Sequence, residues 1–409
     1  MGLLDLLSQK SVWETFYAYK AGLACSKAFL RDLRVFIDRA DYLPVCDAIR
    51  QKARFPLPKR AVISKLSSGK KRVVYTYPPA ENTVLKLLTY LLLRQYDGVF
   101  SGNLFSFRPG KSAKDAVRML THVPGIRTMA AYKADVSDYF NSIPVDRLLP
   151  KLRAVTEDDP ALYDFLSALL TEPQVLDNGC AVTEQKGFMA GTPLSAFFAN
   201  LFLNDLDRHF ASAGVPYARY SDDIILFAGD ADTLDRHAAF VREFLSVRGL
   251  SLNPEKEQTF SPADGWVFLG FWVRDGGVDL APASIKKLKQ KMRRKTRALQ
   301  RWQKRKGLDG MAAAKAFIRV FHRKLFENPA EHELTWTRWF FPVLTKADGL
   351  HEIDRYAQDC IRVLAGGTHT KARFNVRYAD LKRLGYRSLV HEYYVFKKTG
   401  EENNAAVSN

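Results

Sequence analysis

The stretch Ala218-Arg-Tyr-Ser-Asp-Asp-Ile-Ile-Leu-Phe227 places two adjacent carboxylates, Asp222 and Asp223, between an aromatic residue and an apolar run. Aromatic and β-branched residues on both sides favour strands, so the pattern predicts a hairpin with Ser221 and Asp222 at its tip. Two neighbouring aspartates in a basic chain also occur in ordinary solvated turns. The pair therefore indicates a functional site only if a further acid lies elsewhere in the chain.

A second candidate acid, Asp135, ends the apolar run in Met129-Ala-Ala-Tyr-Lys-Ala-Asp-Val-Ser-Asp-Tyr-Phe140, which predicts a strand followed by a turn. The alternative is that Asp135 or Asp138 caps the helix expected after Pro144, because aspartate is a common N-cap. Mg²⁺ takes hard oxygen ligands from one or two carboxylates and from substrate phosphates. Two such ions activate a hydroxyl and stabilise a leaving pyrophosphate. Together the two acidic segments predict a nucleotidyl-transfer site.

Between residues 65 and 270 the order of the motifs resembles that of the reverse transcriptases, in the bacterial branch of group II intron, retron and defence-associated enzymes. The resemblance implies an α+β polymerase of right-hand architecture, with fingers, a palm built on an antiparallel sheet, a helical thumb and a helical C-terminal extension. The segments that carry the resemblance, in chain order, are 63–72, 107–112, 135–140, 191–200, 220–223, 253–256 and 268–272.

The resemblance also implies the catalytic groups. Asp135 and Asp222 would bridge two Mg²⁺ ions, with Mn²⁺ as an alternative, while Asp223 and the carbonyl of Val136 would complete the metal coordination. Lys256 corresponds to a lysine proposed to protonate the leaving pyrophosphate. An ordinary surface lysine is the alternative for Lys256.

Several further residues are implied to bind substrate. Phe140 corresponds to the bulky ring that excludes the 2′-hydroxyl of ribonucleotides, which implies deoxynucleotide substrates; packing in the core is its alternative. Solvated basic loops are the alternative for the cations in this group. The other residues assigned to the incoming nucleotide are Lys65, Arg72, Arg108, Val136 and Tyr220.

Charge points to a polyanionic partner. The formal net charge is +18, and residues 285–306 hold twelve basic and no acidic side chains. Apolar residues at helical spacing leave the other faces of this segment cationic, and a nucleic acid would relieve the repulsion; a solvated helix is the alternative. By resemblance the helix belongs to a thumb that tracks a template and primer duplex. Nucleic-acid contacts are expected from a primer grip and this helix, at Phe268, Leu269, Gly270, Lys291, Arg293, Arg294 and Arg297.

The sequence predicts four parts. These are an N-terminal helical extension (1–50), fingers and palm (51–278), a basic helical thumb (279–344) and a C-terminal helical extension (345–409), with helices expected over 350–364 and 376–394. Four scattered cysteines without a CxxC pair suggest neither a zinc site nor a disulfide framework. No membrane-spanning segment is predicted, and a bacterial cytoplasmic location is expected.

One departure from the family pattern and one further resemblance narrow the subgroup. Ala190 stands where many relatives carry glutamine, and the segment 384–394 resembles the single-domain defence-associated enzymes. We therefore expect synthesis of cDNA from deoxynucleotides on a structured noncoding RNA template, in antiphage defence, with an accessory defence protein or a second copy as partner. The alternatives are template-independent or protein-primed DNA synthesis, a group II intron or retron-type enzyme, and a non-catalytic RNA-binding scaffold.

Overall fold

A computed structural model describes residues 2–23, 25–64, 71–184, 187–326 and 335–407. The chain forms two compact units, Met1–Asp264 and Gly265–Asn409. The boundary expected at residue 278 therefore falls inside the second unit, and the four-part division stays a prediction. No helix within the described ranges is long and apolar enough to cross a membrane.

The first unit is built around one apolar core that includes its N-terminal segment. Trp13 and Phe16 are fully buried in the same core as Leu85 and Leu88. The α-helices of this unit are Leu3–Leu6 (α1), Lys10–Ala21 (α2), Lys27–Asp38 (α3), Leu43–Arg50 (α4), Pro79–Gln95 (α5), Ala113–Thr121 (α6), Tyr139–Ser142 (α7), Val145–Val155 (α8), Pro160–Thr171 (α9), Ser195–Phe202 (α10), Asn204–Ser212 (α11) and Ala231–Val247 (α12).

The strands of the first unit are Lys59–Ser64 (β1), Lys71–Thr76 (β2), Ala130–Asp135 (β3), Gln174–Asp177 (β4), Cys180–Thr183 (β5), Tyr217–Tyr220 (β6), Asp223–Ala228 (β7) and Gln258–Phe260 (β8). One sheet has the order β2-β1-β4-β5, in which only the β1 and β4 pair is parallel. The other has the order β6-β7-β3-β8 and is antiparallel throughout. The second sheet carries the acids singled out in the sequence.

The second unit combines a three-stranded antiparallel sheet of order β11-β10-β9 with helices. Its strands are Trp266–Phe268 (β9), Phe271–Arg274 (β10) and Gly277–Leu280 (β11). Its α-helices are Pro282–Lys306 (α13), Gly310–Leu325 (α14), Trp336–Phe340 (α15), Asp348–Gly366 (α16), Tyr378–Arg383 (α17) and Leu389–Val407 (α18). Along α13 the apolar residues at helical spacing are buried, as the pattern predicts: Ile285, Leu288, Met292 and Leu299.

The single helix expected over 376–394 is wrong, because α17 ends at Arg383 and α18 begins at Leu389. Gly385 interrupts the helix in the left-handed region, with φ of +92°. The buried carboxylate of Asp354 then accepts hydrogen bonds from Ser388 Oγ and from the backbone N–H of Leu389. A side chain from another helix therefore starts α18, which spacing along the sequence does not reveal.

Candidate active site

The two acidic segments meet at one end of the antiparallel sheet of the first unit. Tyr220 pairs with Asp223 across the β6 and β7 hairpin, and Ser221 turns the chain with φ of +60°, so Ser221 and Asp222 form the tip as expected. Asp135, the last residue of β3, lies directly opposite Asp223. Residues directly opposite one another share a face of the sheet. Strand pairing thus brings Asp135 to the hairpin.

Helix capping does not explain these acids. Asp138 precedes α7 with φ of +43° and makes no side-chain cap. The N-cap residue of α8 is Pro144. The carboxylate of Asp135 instead accepts a 2.6 Å hydrogen bond from Lys256 Nζ. Asp135 is therefore paired with a cation that is distant in the sequence, and it does not cap a helix.

The site concentrates negative charge in a buried place. Burial raises the pKa of Asp222, and the nearby charge of Asp135 raises it further. Burial also raises the pKa of Asp223 to about 6, with Asp222 and Asp135 adding to the shift while Lys133 and Lys256 oppose it. Ionisation of Asp222 and Asp223 is therefore unfavourable, and cations bound beside them would offset that cost.

The three carboxylates are not grouped closely enough to hold a metal ion by themselves. Among the described residues, no three His, Cys, Asp or Glu side chains are grouped to hold an ion. Lys256 pairs with Asp135, and Asp222 lies in the turn that precedes β7, whose first residue is Asp223. Asp135 and Asp222 still supply the hard oxygen donors that Mg²⁺ takes with substrate phosphates. The residues fit such an ion, and coordination by Asp223 and Val136 stays a prediction.

A buried ion pair supports the hairpin from beneath. Arg219 and Asp207 are fully buried, with 2.6 Å between Nη2 and Oδ2. Arg219 also donates to the carbonyls of Ser221 and Asn200, both at 3.1 Å. No sequence motif singles out Arg219, although an arginine within an apolar strand is a signal of a buried partner.

Ser106, which directly precedes the segment 107–112, links two of the sequence motifs, 191–200 and 220–223. Its Oγ accepts a 2.8 Å hydrogen bond from the backbone N–H of Ser221, at the tip of the hairpin. The same hydroxyl donates to Asn200 Oδ1, and the amide of Asn200 donates back to the Ser106 carbonyl. All of these groups are buried, so the strained left-handed turn at Ser221 is fixed by hydrogen bonds.

The guanidinium of Arg108 is bound within the protein, and the substrate contact expected for it is wrong. Its guanidinium forms two hydrogen bonds with the carboxylate of Asp97, at 2.7 and 2.9 Å. It also donates to the carbonyls of Ser101 and Leu104. These contacts use all three guanidinium nitrogens, and only 6% of the side chain is exposed. Arg108 therefore holds the loop that carries Ser106.

Of the other residues expected to bind the nucleotide, Phe140, Tyr220 and Val136 lie in or next to the acidic segments, and Arg72 lies in a different sheet. Phe140 lies in the first turn of α7, half-buried, with its ring centroid 6.1 Å from that of Phe188. Tyr220 is half-buried beside the acids, and Val136 N–H donates to the Asp222 carbonyl at 3.1 Å. The backbone of Arg72 pairs with Ile63 in the β1 and β2 hairpin, and Lys65 lies outside the described residues.

The expected primer grip lies in the second unit and is a tight turn between β9 and β10. Phe268 is fully buried, so it belongs to the core and the nucleic-acid contact expected of it is wrong. Leu269 and Gly270 have φ of +51° and +90°. A side chain at Gly270 would lie 3.0 Å from Ser284 Oγ, so close packing as well as backbone conformation requires glycine.

The basic helix α13 presents the cations that the sequence predicts. Lys291, Arg293, Arg294 and Arg297 are exposed on it. Burial lowers the pKa of Lys291, and the charges of Lys287, Lys324 and Arg294 lower it further. Cations that repel one another on an exposed surface favour an anionic partner.

Residues 57–273 match the family of reverse transcriptases (RNA-dependent DNA polymerases). The match covers slightly more than half of the chain. This chain belongs to the reverse transcriptase family. The expected α+β fold class, with an antiparallel sheet bearing the acids, is confirmed, and reverse transcriptases as a family use divalent metal ions.

Other similarities cover only parts of their proteins. This reverse transcriptase is 29% identical over 158 residues to an uncharacterized 91 kDa protein in the cob intron of Schizosaccharomyces pombe, covering 37% of this chain and 18% of that protein. Apo telomerase from Candida tropicalis is similar with a TM-score of 0.48 and 12% identity, over 81% of this chain and 60% of that chain. Telomerase from Candida albicans, in complex with a fragment of telomeric RNA, has a TM-score of 0.45 and 12% identity, over 83% and 67%.

Proposed function

We propose that this reverse transcriptase is an active RNA-directed DNA polymerase that adds deoxynucleotides to a primer. The observation that carries the proposal is the arrangement of Asp135 opposite Asp223, with Asp222 at the adjacent hairpin tip and Lys256 in contact with Asp135. Strand pairing positions the carboxylates, and the buried network of Arg219 and Ser106 holds the tip. A site built on fixed backbone suits a reaction that depends on positioning.

Each residue has a chemical task in this proposal. Asp135 and Asp222 would hold Mg²⁺, which supplies charge stabilisation for the primer hydroxyl and the leaving pyrophosphate. Lys256, which pairs with Asp135, would donate a proton to the leaving group. Phe140, held against Phe188, would exclude the 2′-hydroxyl of a ribonucleotide.

We further propose that the template is a structured noncoding RNA and that the cDNA acts in bacterial antiphage defence, in the cytoplasm. The support is the resemblance of residues 384–394 to single-domain defence-associated enzymes and the basic surface of α13. Bound RNA and newly made DNA should be sequenced from protein purified from infected and uninfected cells, for the wild type and the Asp222→Ala/Asp223→Ala variant. DNA complementary to one bound RNA, together with phage protection that the variant lacks, supports the proposal.

Other results would favour the alternatives. DNA without any complement among the bound RNAs, or DNA joined covalently to the protein, would indicate template-independent or protein-primed synthesis. Full phage protection by the aspartate variant would indicate an RNA-binding scaffold.

An intron-encoded reverse transcriptase is a second candidate, and the similarity to the cob intron protein favours it. Such an enzyme would co-purify with the intron RNA that encodes it. The identity of the bound RNA therefore separates the two candidates: an RNA containing the gene itself supports the intron, and a separate short RNA supports defence.

A further inference from the structure

Three cations on the N-terminal side of the first unit stand out because no acid neutralises them. Lys20 lies on α2, and Lys86 and Arg94 lie on α5; we call them the N-terminal cation cluster. None of the three forms an ion pair with a carboxylate of the described residues. In contrast, Arg34 on α3 is paired with Glu14 at 2.7 Å. Unpaired cations in one place favour an anion from outside the chain.

Aromatic rings hold these cations in position. Lys20 Nζ lies 5.3 Å from the ring centroid of Phe16, and Lys86 Nζ lies 4.9 Å from that of Phe29. The guanidinium carbon of Arg94 lies 3.6 Å above the ring of Tyr90. Such contacts orient a cation without neutralising it. The cluster is therefore ordered in advance of any ligand, which lowers the entropic cost of binding.

Charge repulsion within the cluster is direct. Burial lowers the pKa of Lys20, and the charges of Lys86 and Arg94 lower it further. Burial also lowers the pKa of Lys86. No carboxylate opposes either shift. A bound anion would relieve this repulsion.

The spacing of the cluster fits a strand better than a single ion. Lys86 and Arg94 are separated by two turns of α5, which is about 12 Å along the helix axis. The half-exposed ring of Tyr19 contacts both Lys20 and Arg94, with 5.6 and 4.4 Å from its centroid to Lys20 Nζ and to the guanidinium carbon of Arg94. Its centroid lies 4.9 Å from that of Tyr90, which is also half-exposed. Cations that alternate with aromatic rings are the pattern by which proteins bind a single nucleic-acid strand.

We propose that the N-terminal cation cluster binds the phosphates of a single-stranded segment of RNA. The inference rests on the proposed function, because it takes the bound RNA of the polymerase as the ligand. It adds a contact surface on α2 and α5 that the catalytic site does not include.

The direct test is the salt dependence of RNA binding by the full chain. The variant Lys20→Gln/Lys86→Gln/Arg94→Gln and the wild type are titrated with a fluorescein-labelled single-stranded RNA at several salt concentrations. Loss of three phosphate contacts should reduce the slope of log affinity against log salt by about 2 and weaken binding about 100-fold at about 0.1 M salt. An unchanged slope would overturn the proposal.

A matched control removes the same charge from the same part of the chain. Lys10, Arg39 and Arg50 are exposed and lie outside the cluster, so Lys10→Gln/Arg39→Gln/Arg50→Gln should leave the slope unchanged. An equal loss in this control would mean that net charge alone attracts RNA, which also overturns the proposal. Wild-type DNA synthesis on a short template and primer is measured in parallel. If the wild type makes no DNA, the polymerase function is contradicted, and the salt dependence still tests RNA binding by the cluster on its own.

A second measurement needs no substitution in the cluster. The partly exposed Cys25 interacts electrostatically with both Lys20 and Lys86, so bound RNA should slow its alkylation. Alkylation of the exposed Cys180 serves as the internal reference. Equal protection of Cys25 by inorganic phosphate would indicate a small-anion site, and equal protection by polyglutamate would indicate an acidic protein partner. Either result would overturn binding of an RNA strand.

Discussion

At the scale of single residues, the position of Asp223 beside the proposed metal ligands makes ionisation of its carboxylate unfavourable and so lowers the stability of the fold at neutral pH. Its carboxylate is half-buried beside two others, and its pKa is raised to about 6 from an ordinary value of 3.8. Between these two pH values the folded protein keeps a proton that the unfolded chain has lost. The free energy of unfolding therefore falls as pH rises through this window and stays level above it.

We predict that Asp223→Asn stabilises the metal-free protein at neutral pH by about 2 kcal/mol and has no such effect near pH 4. The amide removes the cost of burying a charge, and near pH 4 the folded wild type is already protonated at this site. Melting temperatures of both proteins across this pH range measure the difference. The exposed Asp235→Asn should show no gain at neutral pH; a gain for Asp223→Asn that is the same at both pH values would contradict the account.

Lys256 gives a second prediction at this scale. Its ammonium pairs with Asp135 and is half-exposed. Because an exposed ion pair is worth about 1 kcal/mol or less, Lys256→Met should bind Mn²⁺ up to about 5-fold more tightly. Loss of a general acid should at the same time slow nucleotide addition by about 100-fold or more.

Mn²⁺ titration followed by electron paramagnetic resonance, together with single-turnover extension, measures these two effects separately. Lys256→Arg keeps the positive charge and should bind Mn²⁺ as the wild type does. Weaker Mn²⁺ binding by Lys256→Met would show that the lysine supports the metal site instead of competing with it.

At the scale of elements, the β6 and β7 hairpin depends on the groups beneath it. Arg219 joins Asp207 to the carbonyl of Ser221, and Ser106 holds the backbone N–H of the same residue. These contacts connect the hairpin with α11 and with the loop before α6. The tip that carries Asp222 is therefore positioned by residues distant in sequence.

We predict that Arg219→Met destabilises the protein by about 3–5 kcal/mol, because it leaves the carboxylate of Asp207 buried and unpaired. Adding Asp207→Leu should restore part of the stability, because it removes the buried charge but leaves the buried hydroxyl of Tyr217 without its acceptor. The double variant should still extend a primer about 100-fold more slowly than the wild type, since the Ser221 carbonyl has lost its donor. Urea unfolding and primer extension measure the two effects.

The exposed Arg236→Met serves as the control and should change neither quantity. Wild-type extension by the folded double variant would mean that the hairpin holds its shape without the arginine.

The same elements show what sequence could and could not predict. Strand periodicity and the adjacent aspartates were sufficient to place Asp135 and Asp222 at strand ends, because local preference and burial agree there. The role of Arg108 was wrong, since its partner Asp97 lies outside the sequence motifs. Arg219 was missed because a buried ion pair depends on tertiary contact. The break between α17 and α18 was missed for the same reason, as its cap comes from Asp354 of α16.

At the scale of the whole molecule, the excess of positive charge is the main property. The formal net charge of +18 includes twelve basic side chains within residues 285–306, on and around α13. Such a charge attracts nucleic acid irrespective of its sequence and makes binding strongly dependent on salt.

We predict that Arg293→Gln/Arg294→Gln/Arg297→Gln reduces the salt dependence of RNA binding. If each arginine contacts one phosphate, the slope of log affinity against log salt should fall by about 2–3. Fluorescence titration of the full chain at several salt concentrations measures the slope, and Lys10→Gln/Arg39→Gln/Arg50→Gln again provides the control. An unaltered slope would mean that α13 does not contact the RNA.

In the proposed function, Asp135, Asp222 and Asp223 together catalyse RNA-directed DNA synthesis. Its most direct test is extension of a labelled DNA primer annealed to an RNA template of defined sequence, with Mg²⁺ and deoxynucleotides. We predict a DNA complementary to the template from the wild type, and at least about 100-fold less from Asp222→Ala/Asp223→Ala, as expected when charge stabilisation is removed. Equal extension by the variant, or wild-type products that ignore the template sequence, would contradict the account.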